Sequence, residues 1–245
     1  MFPIIFQIGP FKIYSYGFML VIAFLVAARL VSSEAKRQAV NPEIIYNFLF
    51  IVFICGILGS RIFFIIENIK YYWVNPLEII MLQNGGLSWF GGFILGSTCG
   101  VIYLKKKKLS VIKTLDLVMP YVALAQAIGR IGCLLNGCCY GKISSFGVYF
   151  PAHKHFLIPT QIYSSLLLLL IFVVLRIMQE KKRPVGEIFF MYLFLYAIKR
   201  FFIEFWRADN PVILWSLTLF QILSIIMFVT AFLALMIIRI RVKKS

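Results

Sequence analysis

The sequence predicts an all-α fold: a polytopic membrane protein with seven transmembrane helices, N-terminus outside and C-terminus cytoplasmic. Three observations carry this. The 245 residues are 62% apolar or aromatic and only 14% charged, with a mean hydropathy of +0.93; soluble domains run at roughly 45–50% and about 25%. Seven apolar stretches each approach the about 20 residues that cross about 30 Å of hydrocarbon. The basic residues alternate between successive loops. Such a composition excludes a water-soluble enzyme, a disordered chain and a nucleic-acid partner. The net charge of +16 sets topology instead, through its position along the chain.

Taken in order, Met1–Ile13 lacks a basic start, and no small-residue cleavage site follows the first apolar run, so no cleavable signal is expected. Spans are predicted at 14–32, 44–66, 87–104, 115–133, 161–178, 187–206 and 217–238. They leave no room for a separate soluble domain, so 1–245 reads as one integral membrane domain. Lys36 and Arg37, Lys105–Lys108 with Lys113, Lys181–Arg183, and Arg239, Arg241, Lys243 and Lys244 give fourteen positive charges on one side. Lys12, Lys70, Lys142, Lys154 and Arg207 give five on the other. The richer side is cytoplasmic by the positive-inside rule. Two non-cytoplasmic loop regions then lie at about 67–86 and 134–160. In the first, 75–82 reads as a short interfacial helix with Pro76 in its first turn, beside an aromatic belt of Tyr71, Tyr72 and Trp73.

Charge inside a span costs at least about 2.5–3.5 kcal/mol and therefore faces protein or a water-filled cavity. Arg29 and Asp116 sit near cytoplasmic ends and read as snorkelling. Arg61 and Arg130 do not. Arg200, Glu204 and Arg207 are spaced i, i+4, i+7 on one face, with the carboxylate between two guanidiniums. Guanidinium suits bidentate contact with phosphate. Arg130 lies in Gly129–Gly141, whose four glycines are expected to break the fourth span at its outer end. A second Gly-rich segment runs over 84–92. Glycine admits close backbone approach, and irregular backbone at membrane depth lines cavities. Two such segments and two cationic sites point to a pocket for an anionic amphiphile, most simply a phospholipid headgroup.

Cys55 and Cys99 read as packing residues. Cys133, Cys138 and Cys139 face the outer compartment. A disulfide from Cys133 to either neighbour is open there, while a catalytic thiol is not expected. His153 and His155 read as solvated, and the spacing matches no standard zinc pattern.

Together these segments resemble the prolipoprotein diacylglyceryl transferase family of the bacterial inner membrane, over nearly the whole chain. Tyr16-Gly17, Gly59-Ser60-Arg61 and Pro159-Thr160-Gln161-Ile162-Tyr163 match family motifs. Gly129, Arg130, Gly132, Asn136, Gly137 and Gly141 fit its signature, and Arg200, Glu204, Phe205 and Arg207 its last motif, with Asp209 one place early. The chain departs at the family's His-Gly-Gly, which is Phe90-Gly91-Gly92. It departs again at the signature Asn and Glu, here Cys133 and Cys138, and at the His before Pro, here Ile158. A histidine base is not carried over.

The resemblance implies transfer of the diacylglyceryl group of phosphatidylglycerol to the lipobox Cys thiol of a preprolipoprotein, releasing glycerol 1-phosphate. Arg130 and Arg200 are then expected to clamp the phosphate, with Glu204 orienting Arg200 and Arg207. Tyr16, Arg61, Gly91, Gly92, Asn136, Gly141, Gln161, Tyr163 and Arg207 are expected to line the substrate site. No metal or organic cofactor is implied. A phospholipid-binding or transport protein, or a transferase with another acceptor, would use the same pocket.

Overall fold

The computed structural model describes residues 1–8, 11–81, 85–214 and 216–244. It is predominantly helical. Among the described residues, α1 (Ser15–Arg37), α2 (Pro42–Glu67), α4 (Trp89–Lys106), α5 (Val111–Asn136), α6 (Thr160–Gln179), α7 (Glu187–Glu204) and α8 (Leu219–Lys244) fall on the seven apolar stretches. Five of them, α1, α2, α5, α6 and α8, are long and apolar enough to cross a membrane. Both α4 and α7 have 18 residues. Lys105 and Lys106 end α4, and Glu187, Lys199, Arg200 and Glu204 punctuate α7. The apolar surface is mostly not core. Only 11% of the apolar window of α2 is buried inside the molecule, against 39% for α5, so the outward face of α2 suits hydrocarbon rather than water.

Residues 28–111 form one compact unit. Asn41 opens α2 by accepting from the Glu43 amide at 2.9 Å, with Pro42 in the first turn. The α2 and α4 helices pack through glycine: a Cβ on Gly91 would collide with the Gly59 carbonyl and Phe63, and one on Gly92 with Ser60. Gly92, Gly96 and Gly100 continue that stripe at i, i+4, i+8. Between them lie α3 (Ile69–Val74) and a 3-10 turn, Pro76–Ile79. The expected interfacial helix over 75–82 is therefore one short turn, and Leu82 lies outside the described residues. So does Asn84, at the head of the second Gly-rich segment, whose Trp89–Gly92 part is regular helix.

Residues 1–27 with 112–245 form the other unit. A hairpin of β1 (Ile4–Ile8) and β2 (Phe11–Tyr14) precedes α1. The Phe2 amide donates to the Leu135 carbonyl at 3.0 Å, which ties the N-terminal segment to the end of α5. The core joins Ala123 and Ala127 of α5, Leu168, Ile171 and Leu175 of α6, and Ile188 and Tyr192 of α7. Pro120 sits inside α5 and cannot donate to the Asp116 carbonyl. Gln179 supplies the missing donor, to that carbonyl at 3.3 Å and to Leu117 at 3.0 Å. The Asp116 carboxylate does not snorkel. It accepts from the Gly186 amide at 2.5 Å and the Phe189 amide at 2.8 Å, capping α7. Two further ribbons, β3 (Ile143–Phe150) with β4 (His155–Leu157) and β5 (Val212–Leu214) with β6 (Leu217–Thr218), follow α5 and α7.

Candidate functional site

The predicted break in the fourth span comes later than its glycines suggested. Gly129 and Gly132 lie within α5, which runs to Asn136. The chain turns at Gly137, φ +77°, and Cys139, φ +63°. The carbonyls of this turn are held by the start of α6: Thr160 Oγ1 donates to Cys139 at 2.6 Å and Gln161 Nε2 to Cys138 at 2.7 Å. Gly141 is then stitched between two segments. Its amide reaches the Ile158 carbonyl at 2.9 Å, the Lys142 amide reaches that of Trp206 at 2.8 Å, and Gly141 pairs with Arg207. A Cβ on Gly141 would press on Ile158 and the Trp206 carbonyl. The end of α5, the start of α6 and the end of α7 therefore converge on one loop.

Four basic side chains meet there. Lys199 lies within electrostatic reach of Arg130, Arg200 and Arg207, and Arg200 within reach of Glu204. Arg200, 8% exposed, pairs with Glu204 at 3.3 Å and lies 4.4 Å over the Phe220 ring. Glu204 does not bridge two guanidiniums as its spacing suggested. Its Oε1 accepts from Asn210 at 2.5 Å and Thr218 at 2.9 Å, while Arg207 forks onto Asp209 at 2.8 and 2.5 Å. Burial disfavours the Arg207 charge, but the Asp209 hydrogen bond and charge outweigh it and raise the guanidinium's pKa. Lys199, 5% exposed, donates to Ser164 at 3.1 Å and lies 4.4 Å over the Tyr196 ring. No carboxylate pairs with it among the described residues. The Arg130, Arg200 and Arg207 guanidiniums against Glu204 and Asp209 leave one positive charge in surplus, before the buried Lys199 amine is counted.

Lys199 is the residue that sequence reasoning missed. Its signal was a charge mid-helix next to Arg200, hidden because the i, i+4, i+7 pattern drew attention to one face. Tyr16 and Cys133 also lie within the field of Arg130. Asn136 hydrogen-bonds the Cys138 thiol. Gln161, 1% exposed, keeps its Oε1 without a partner among the described residues. The Tyr163 ring meets Trp206 edge-on, 6.2 Å between centroids. An apolar cleft lined by Ala197, Phe201, Phe202, Ile225 and Phe228 opens between α7 and α8.

Cys133, Cys138 and Cys139 carry free thiols whose Sγ atoms all lie within 4.8 Å of one another. Outside the spans, hydrogen bonds from the other two thiols, aided by the Arg130 and Arg207 charges, pull the Cys139 thiol well below its ordinary value despite burial.

The remaining expected residues lie in the unit of residues 28–111. All five N–H groups of Arg61 point at backbone: Ile79 at 3.0 Å, Gly85 at 2.6 Å, Gly86 at 3.1 Å, Met81 at 3.3 Å, and Glu78. That guanidinium organises its own loop and has no donor to spare. Gly91 and Gly92 face α2, as described above.

Residues 3–237 match the family model described as prolipoprotein diacylglyceryl transferase. The chain is 40% identical over 215 residues to the phosphatidylglycerol–prolipoprotein diacylglyceryl transferase of Clostridium tetani, covering 84% of this chain and 86% of that protein. The enzyme of the same name from Streptococcus uberis is 32% identical over 93% of this chain and 91% of its own length. The second such transferase of Clostridium perfringens is 37% identical over 83% and 82%.

Proposed function

Because the chain belongs to the prolipoprotein diacylglyceryl transferase family, we propose that it transfers the diacylglyceryl group of phosphatidylglycerol to the lipobox cysteine of preprolipoproteins. It does so as a seven-span protein of the bacterial inner membrane, N-terminus outside, with 1–245 acting as one integral domain. The observation that carries the reading is the surplus of positive charge where α5, α6 and α7 converge. A phosphodiester brings one negative charge, and the departing glycerol 1-phosphate brings up to two.

The acceptor sulfur attacks the diacylglyceryl carbon bonded to the phosphate oxygen. The S–C bond forms, the C–O bond breaks, and the thiol proton ends on the departing phosphate. Arg130 and Arg200 stabilise the charge that builds on that phosphate. Glu204 offsets the Arg200 charge at 3.3 Å, and Asp209 fixes the Arg207 fork. The unpartnered Gln161 Oε1 is an acceptor, so it suits a glycerol hydroxyl rather than a phosphate oxygen. Tyr16, Asn136, Gly141 and Tyr163 line the same end. The cleft between α7 and α8 suits an acyl chain.

The test is the detergent-purified chain with phosphatidylglycerol and a lipobox peptide. The expected result is a thioether-linked peptide and one glycerol phosphate released per peptide modified, with no product from a peptide carrying Ser in place of Cys. Binding of phosphatidylglycerol without release of glycerol phosphate would replace the reading with a lipid-binding or transport protein.

A further inference from the structure

The side chains at 90 and 158 are Phe and Ile, and neither can take a proton from an acceptor thiol. At the same end as the cationic surplus lies a group the proposed chemistry does not use. Cys133 comes from the last turn of α5, and Cys138 and Cys139 come from the loop that follows. Their sequence spacing resembles no zinc motif. The fold nonetheless brings all three Sγ atoms within 4.8 Å of one another. Thiolates tetrahedral about zinc stand about 3.8 Å apart, given a Zn–S bond of about 2.3 Å, so small side-chain rotations would close the site.

The backbone that presents these thiols is already held. The Cys138 amide donates to the Cys133 carbonyl at 3.1 Å, and Gln161 and Thr160 grip the carbonyls of Cys138 and Cys139. Cys139 adopts a left-handed φ of +63°, a conformation non-glycine residues rarely take. Charge also fits. Three thiolates and one divalent ion leave a single negative charge, which lies within the field of Arg130 and Arg207. A disulfide would use two of the sulfurs and strand the third. Among the described residues, no His, Asp or Glu joins the group. Three ligands with an open fourth position is the pattern of a catalytic rather than a structural zinc.

We propose that Cys133, Cys138 and Cys139 bind a thiophilic divalent cation, zinc, and that its open position takes the acceptor cysteine as a thiolate. The second half rests on the transferase reading above. The acceptor thiol loses its proton on binding the metal. Its sulfur then forms the bond to the diacylglyceryl carbon as the C–O bond breaks, and the proton is taken up by the departing glycerol phosphate. The thioether product is a far weaker ligand than a thiolate, so it leaves the metal. The three cysteines hold the ion and are not themselves alkylated.

The experiment uses the full chain, purified in detergent under reducing conditions, and measures zinc by mass spectrometry of the metal, cobalt by its thiolate charge-transfer absorption, and turnover. About one zinc per chain is expected, and an intense cobalt–thiolate band on cobalt substitution. Each single Cys→Ser variant should lose more affinity than the about 10–100-fold that follows removal of an outer-shell partner. The triple Cys→Ser variant, folded by its thermal midpoint, should bind no zinc. Chelation should lower turnover at least tenfold, with zinc restoring it. No zinc in the reduced chain, equal zinc in the triple variant, or a native disulfide found by intact mass would overturn the site. Full turnover by zinc-free enzyme would overturn its part in thiol activation. Normal zinc binding without turnover in any form would overturn the transferase reading and leave the metal site standing.

Discussion

Arg200 lies in the last turns of α7 and Arg207 just beyond its end, and the fold gives them different partners. Arg200 is buried against Glu204 and the Phe220 ring, whereas Arg207 is forked onto Asp209 beside Gly141. The Arg200–Glu204 contact is single and 3.3 Å long, so this guanidinium keeps donors to direct elsewhere; Arg61 keeps none. That contrast is what favours Arg200 over Arg61 for the proposed phosphate contact. Arg200→Ala and Arg130→Ala are each expected to lower turnover by about 10²–10³, on the order of 3–4 kcal/mol, by analogy with removing one oxyanion donor. Arg→Lys keeps the charge and loses the planar fork, so it should recover only part of the rate. Rates normalised to folded protein check this. Near-normal rates for both alanine variants would remove the clamp.

At the scale of elements, α5 is the organiser. It carries a proline that costs it a hydrogen bond, a carboxylate that caps α7, and the arginine of the site. Gln179 repairs the proline defect from the far end of α6. Asp116 holds two amides at the start of α7, which fixes the axis that carries Lys199, Arg200 and Glu204. Asp116→Ala should cost about 1–2 kcal/mol, as loss of a helix cap does, read as a lower thermal midpoint in detergent. Asp116→Asn retains an acceptor and should recover part of that loss. An unchanged midpoint in the alanine variant would show that α7 is held by packing alone.

For the whole molecule the open quantity is sidedness. The fourteen-to-five distribution of basic residues between loops predicts that Lys106 is cytoplasmic and the 134–160 loop is not. Both Lys106 and Lys154 are exposed. In a cysteine-free chain, a membrane-impermeant maleimide added to intact cells should label Lys154→Cys and leave Lys106→Cys untouched. Labelling of the second would invert the topology.

The apolar stretches and the Arg/Glu helix were legible in the sequence because each depends on spacing along one helix, where 3.6 residues per turn converts sequence into a face, whereas Gly91 and Gly92 read as a break and proved to be a helix-packing stripe. The family was legible for the same reason, since its motifs are local. Pairings between segments were not. Asp116 read as snorkelling because its partners, Gly186 and Phe189, lie some 70 residues away in sequence. Glu204 read as a bridge because helical spacing cannot register Asn210, Thr218 or Asp209, which arrive from beyond the helix end. Lys199 lay on another face, and only the return of α5 and α6 brings Arg130 and Ser164 to it. The three cysteines look unrelated to any metal motif until the left-handed turn at Gly137 and Cys139 folds the loop back on α5. By itself, then, the sequence determined which segments are helical and apolar and which side chains carry charge. Tertiary structure alone decided which of those charges are spent on backbone and caps and which remain for a ligand, because only contacts between distant segments can satisfy a buried polar group.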